Sequence, residues 1–425
     1  MRIPQDVILI WTGLNSNIPS GWTRETSLDD KFPKAWGSEN PDVTGGALTH
    51  SHTVSPHTHT INSHTHTGST GNDLGGTSQK DTSGVGGAPS THYHNFTSSD
   101  VVGGTVGNSS NNTYNSASNL PNYYEVIFIK SGGTTGLPNN VIAYFDKSNI
   151  PLGWQECNGA NGSPDLRGKY LKGAPSGADA GGTGGSNTHT HTLSHNHSIS
   201  HYHTGTTGGA ANNRSTRGYT GGGANNASPD DHVHSFTLNT VNETSTTYNA
   251  TSDTQSNEPL HKKLIAIQNK TGNFSKPKYI IGLWLGDVNN IPKGWVLCDG
   301  NNGTLNLKDY FIKIANNSSE IGTTGGNNSH GHGAISHSHT ATSSHSHSAS
   351  TAYNGTWGYY QQNGTLYASN SHYHDISSTS SQTTSLANSN IPASSTDDNQ
   401  PPYRTVAYIQ FQKEIYGGGF LLNFL

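Results

Sequence analysis

The sequence predicts a mainly β protein of three tandem repeats, each a small β-rich module followed by a long extended hairpin. Three observations predict it. The phrase Thr-Gly-Gly-x-x-[Ser/Thr]-His-x-His occurs three times, at 44–52, 183–191 and 324–332. The same order of flanking features recurs around each copy. The intervening stretches are too polar for an ordinary core: hydrophobic residues are 29 % of the chain, charged residues 12 %, and 52 of 425 residues are Gly.

Each copy opens on a short apolar run, "VILIW" (7–11), "VIAYF" (141–145) and "YIIGLWL" (279–285), which reads as a buried strand. An Ile-Pro-x-Gly-Trp turn follows, at Ile18–Trp22, Ile150–Trp154 and Ile291–Trp295. The TGG phrase leads into a tract alternating Ser, Thr and His with a period of two, the mark of extended strand. Each copy closes with Asn-x-Pro and an apolar strand, at 119–130, 257–268 and 399–410. The repeats therefore span 1–132, 133–273 and 274–415, and an apolar tail occupies 416–425. The turn and the terminal strands predict a compact module per repeat.

The formal charge of −5 offers no basic stripe, which argues against nucleic acid. The N-terminal apolar run is too short for a signal peptide or membrane span, and no other stretch is long enough to span. Cys157 and Cys298 lie at matching places in two repeats and read as buried free thiols.

Of 25 histidines, 24 fall in His-x-His pairs. The first repeat holds His50/His52, His57/His59, His64/His66 and His92/His94. The second holds His189/His191, His195/His197, His201/His203 and His232/His234. The third holds His330/His332, His337/His339, His345/His347 and His372/His374. The remaining His261 aligns with Tyr123 and Tyr403 and reads as structural. Random drift would leave unpaired histidines.

Residues i and i+2 of a strand share a face, so one pair aims two imidazoles at one point. Three such strands supply six nitrogens, and 24 histidines fill four octahedral sites. An all-imidazole octahedron suits a first-row divalent metal, Fe(II) before Ni or Co, because structural zinc takes four ligands. Two arrangements meet the count: one chain folded as a pseudo-trimer around stacked metal ions, or a homotrimer of chains. Matching pair numbers in every repeat favour the pseudo-trimer. Unequal spacing (first histidines at 50, 57, 64; 189, 195, 201; 330, 337, 345) requires bulges to keep layers aligned. The return runs exceed the outgoing ones, which places the fourth pair of each repeat one layer beyond the third. Loops 67–91, 204–231 and 348–371 then form the distal tip.

Taken in order, Ile-Pro-x-Gly-Trp, Cys-Asp/Asn-Gly, "PDLRGKY" (164–170), TGG, His-x-His pairs and Pro-Pro-Tyr (401–403) resemble the phage tail collar domain. The hairpins are similar to the receptor-binding tip of phage long tail fibres, where six histidines from three chains hold each iron ion. The resemblance runs through nearly the whole chain, once per repeat. It is poorest in the first repeat, which lacks the Cys. Three copies in one chain depart from the family's usual single copy per chain.

The resemblance implies a virion protein at the distal end of a tail or tail fibre. It would bind a host cell-surface receptor, a glycan or an outer-membrane protein, and attach through another tail or fibre protein. Among the distal loops, 348–371 carries Tyr353, Trp357, Tyr359, Tyr360 and Tyr367, a density typical of binding hot spots. Loop 204–231 offers Arg214, Arg217 and Tyr219. The alternative is a structural or membrane-piercing tip without receptor specificity. An enzyme is disfavoured, since six histidines leave a metal no open position.

Overall fold

A computed structural model describes residues 2–38, 40–70, 93–99, 102–211, 233–271, 277–345, 348–351, 359–362, 365–368, 374–377 and 382–412. It is built from strands, with four short 3-10 turns and no α-helix among these residues. Accordingly no helix among them is long and apolar enough to cross a membrane.

The opening strands Ile8–Trp11, Ile142–Phe145 and Ile280–Trp284 pair with one another, through Ile10↔Ile142, Ile8↔Leu283 and Tyr144↔Ile281. Both of their faces are covered. Leu9 and Trp11 enter one apolar cluster, Ile8 and Ile10 another. That is why these runs are apolar without alternation. The Pro-x-Gly-Trp segment is a type II turn: the Trp22 amide donates to Pro19 O at 3.0 Å with Gly21 at φ +79°. The turn drops Trp22, and likewise Trp154 and Trp295, into the first cluster.

Each closing strand lies antiparallel to its own opening strand: Tyr123–Ser131, His261–Asn269 and Tyr403–Phe411 pair through Ile8↔Lys130, Ile142↔Gln268 and Ile281↔Gln410. Each also runs parallel to an inner strand of a different segment. Tyr123 faces Tyr170 of Tyr170–Gly173, His261 faces Phe311 of Phe311–Ile314, and Tyr403 faces Phe32 of Phe32–Ala35. The expected compact module per repeat is thus replaced by one interleaved 15-stranded sheet. Local patterning fixes which residues form strands but not which of three similar strands is the partner.

The TGG phrase sits where the base gives way to the hairpins. Thr44–Gly45 pairs with Tyr403–Arg404, Thr183–Gly184 with Tyr123–Tyr124, and Thr324–Gly325 with His261–Lys262. A Cβ on the first glycine would meet the Tyr403 hydroxyl, the Tyr123 hydroxyl or the His261 ring. The second glycine has φ of +72°, +73° and +69°, and its Cβ would meet the carbonyl of Pro401, Pro121 or Pro259. Only glycine satisfies both demands.

Beyond the phrase, outgoing and return tracts pair antiparallel: His50↔Ala117, His189↔Gln255 and His330↔Asp397. The outgoing chain passes the third histidine pair before meeting the fourth, since Ser69 pairs with Asn95, Thr206 with Ser235 and Ser350 with Asp375. Among the described residues, His94 and His234 of the fourth pairs therefore lie beyond the third pairs His64/His66 and His201/His203. Where the third segment spaces its histidines widest, the ladder shifts register between Thr340 and Ser344, as the spacing required. Apolar plates separate the histidines. Val54, Tyr114, Leu193, Ala250 and Ile391 form one, and Phe96, Phe236, Leu238 and Ile376 another.

Candidate metal centre

In the layer nearest the base, His50, His52, His189, His191 and His330 turn their ligating nitrogens toward one another. The Nε2 of His330 lies 3.2 Å from those of His50 and His52 and 2.9 Å from that of His189; His191 Nε2 is 3.1 Å from His50 Nε2. The His332 ring packs 4.9 Å from those of both His52 and His191. One layer out, His337 Nε2 lies 3.2 Å from the Nε2 atoms of His57 and His59 and 3.0 Å from that of His195. His339 Nε2 is 3.3 Å from His195 Nε2, and His197 sits among them, its ring 4.7 Å from that of His59.

His64, His201 and His203 converge in a third group, with His66 against His203. His94, His234 and His374 converge in a fourth. His92, His232, His347 and His372 lie outside the described residues, and of His345 only its place on strand Thr340–His345 is described.

Adjacent corners of an octahedron with metal–nitrogen bonds of about 2.1 Å are about 3.0 Å apart. The observed nitrogen separations match that edge. Neutral imidazoles gathered with their ring nitrogens this close could hold a cation between them.

The tautomer is fixed from outside. The second histidine of a pair donates Nδ1–H to a main-chain carbonyl of another segment. His52 bonds Ser395 O at 2.7 Å, His59 Ala387 O at 2.8 Å, His191 Asn115 O at 2.6 Å and His197 Gly107 O at 2.9 Å. His332 bonds Asp253 O at 2.9 Å, with the Asp253 carboxylate at 3.1 Å, and His339 bonds Thr246 O at 2.7 Å. A proton held on Nδ1 leaves Nε2 with its lone pair toward the centre, the state a ligand needs. Burial, and next the neighbouring imidazoles, lower His189, His195, His330 to a pKa of about 3 and His57, His337 to about 4. At neutral pH these rings are uncharged donors. Burial also lowers His50, against an opposing pull from the Asn119 side chain.

The sequence reading missed a hydroxyl clamp behind these rings. The hydroxyls of Ser252, Ser245 and Ser394 accept the backbone N–H of His191, His197 and His332 at 2.8–2.9 Å, while their own N–H groups bond the carbonyls of those histidines. Thr70, Thr207 and Thr351 do the same for His94, His234 and His374. In so Ser/Thr-rich a chain no sequence signal separates these from the rest.

The other singled-out residues fall as follows. Tyr359–Gln362 and Thr365–Ala368 form a hairpin that sets Tyr360 opposite Tyr367. Tyr353, Trp357, Arg214, Arg217 and Tyr219 lie outside the described residues, as does the tail 416–425. Cys157 and Cys298 are free and buried, and burial raises both thiols out of the reactive range. His261 is buried in the base, 2.7 Å from the Tyr170 hydroxyl.

No family model, curated protein or solved structure matches this chain.

Proposed function

We propose that the chain is a phage tail-fibre or tail-tip adhesin. In this reading its three tandem copies form a single-chain pseudo-trimer around a column of about four metal ions. The observation that carries it is the meeting of imidazoles from all three segments in the two groups nearest the base and again at His94, His234 and His374; in the group between, the described rings His64, His201 and His203 come from two segments. Copies that share sites must keep matching sets, which accounts for the same number of His-x-His pairs in each copy.

A metal in each layer would add coordination bonds across three segments otherwise joined by small apolar plates and hydrogen bonds between their backbones. Coordination free energy then becomes folding free energy, and a narrow stem gains stiffness without a thick core. Six imidazoles per ion favour Fe(II), with Ni or Co next, over zinc. They leave no open coordination position, which fits a structural column rather than catalysis or labile storage.

A stiff stem presents distal loops. The loop at 348–371, with Tyr353, Trp357, Tyr359, Tyr360 and Tyr367, is the proposed main contact with a host cell-surface receptor, aided by Arg214, Arg217 and Tyr219. Unequal loops are available to a fused chain and not to three identical ones. The test is binding of the purified full chain to host cells, and competition with phage adsorption. Binding lost on replacing the five aromatic residues by Ala, with metal content unchanged, supports an adhesin. Adsorption indifferent to the wild-type chain would favour a piercing or purely structural tip.

A further inference from the structure

We propose that Asn119, Asn257 and Asn399 are positioning residues for the metal nearest the base, their Oδ1 atoms accepting the Nδ1–H of His50, His189 and His330. This rests on the metal column proposed above and names what orients half of its first layer.

The three asparagines are the closing Asn of each Asn-x-Pro, and all are buried to 1 % exposure or less. Their amides are oriented by donation from Nδ2 to main-chain carbonyls: Asn119 to Ala47 O at 3.1 Å, Asn257 to Ser118 O at 2.8 Å and Asn399 to Ser256 O at 3.2 Å. That leaves each Oδ1 on the other side of its amide, buried and with no hydrogen-bond partner. The Nδ1 atoms of His50, His189 and His330 are likewise buried and without a partner. Three orphan acceptors thus accompany three orphan donors.

Strand register brings them together. The backbone amides of Asn119, Asn257 and Asn399 donate to the carbonyls of Leu48, Asn187 and Asn328. Each carbonyl belongs to the residue two before the first histidine of its segment. Residues two apart on a strand share a face, so each asparagine is the diagonal same-face neighbour of its histidine. The second histidines need no such help, because carbonyls of another segment already hold their Nδ1–H. A neutral imidazole that offers Nε2 to a metal must carry its proton on Nδ1, and a buried N–H without an acceptor bears its full desolvation penalty. A small closure of the amide onto the ring removes that penalty and fixes the ring plane. The next layer lacks this provision: the one other fully buried asparagine among the described residues, Asn269, lies in the base and donates to Leu137 O and Pro138 O.

The test uses the full chain loaded with Fe(II) and challenged with a chelator, with bound ions counted over time by native mass spectrometry. Asn119→Ala, Asn257→Ala and Asn399→Ala are each expected to lose one ion about 10–100 times faster than wild type, the usual cost of removing an outer partner of a ligating histidine. The other ions leave at the wild-type rate. Asn→Asp at the same positions keeps an oxygen acceptor and restores slow release, and it serves if an Ala variant does not fold. In a His50→Ala background, which lacks the basal ion, Asn119→Ala changes nothing further. Unchanged release in the Ala variants, or equal acceleration of every ion, would overturn the asparagine role while leaving the column standing. A wild-type chain that takes up no ion would overturn both.

Discussion

At the residue scale, the chemistry turns on where each histidine keeps its proton. Folded His189, His195 and His330 titrate near 3 and His57 and His337 near 4, because burial penalises the imidazolium. An unfolded histidine titrates near ~6.5. The unfolded chain binds protons more tightly, so the stability held by these rings is complete above about pH 6.5 and is lost as pH falls toward 4 and below. Metal binding at these rings would follow the same course, since protons compete for the same nitrogens. Thermal melts are therefore expected to be flat above about pH 7 and to fall steadily below about 6.5, with release of bound ions. His337→Ala removes the nitrogen most central to the second layer. Elemental analysis is expected to show one ion fewer, with the remainder retained. Away from the histidine layers, Tyr170 stands where the matching positions 32 and 311 carry phenylalanine, and His261 stands where 123 and 403 carry tyrosine. The Tyr170 hydroxyl meets His261 at 2.7 Å, whereas Phe32 and Phe311 pack edge-on against Tyr123 and Tyr403. Y170F alone should cost about 1–3 kcal/mol for the buried polar atom left behind. Y170F/H261Y rebuilds the pairing of the other two segments and should recover most of it, as read by denaturant melts.

At the element scale, the TGG turn and the His-x-His strand were both legible in the sequence, for different reasons. A period of two needs no tertiary information, and the recurrence of the TGG phrase marked it as a fixed part of each repeat. The partners of its glycines were not legible. Gly46 lies against the carbonyl of Pro401, some 350 residues away along the chain, and nothing local announces it. Gly46→Ala, Gly185→Ala and Gly326→Ala each add a Cβ at positive φ against a carbonyl, and each should destabilise by more than about 1 kcal/mol. Thermal melts check this, with Gly177→Ala as a comparison: it shares the positive φ but has open space around its Cβ. The apolar plates were also hidden. Val54, Leu193 and Ile391 are single apolar residues in polar runs, and only the packing of three segments makes them a core. The Ser and Thr clamps were hidden by abundance, since a buried hydroxyl such as Ser245 looks like any exposed one in this composition.

At the scale of the whole molecule, the base and the stem are held by different means. The base is an interleaved sheet with apolar clusters on both faces of its opening strands. The stem has small apolar plates between groups of histidines. Removing metal should therefore uncouple them: a chelator is expected to loosen the stem while near-ultraviolet signals from the base tryptophans persist. In the proposed pseudo-trimer one chain encloses its own column of metals. Native mass spectrometry of the purified, metal-loaded protein tests it most directly. The expected particle has a mass of 45.0 kDa plus about four bound ions. A particle of three times that mass carrying about twelve ions, or a 45.0 kDa particle with none, would contradict it.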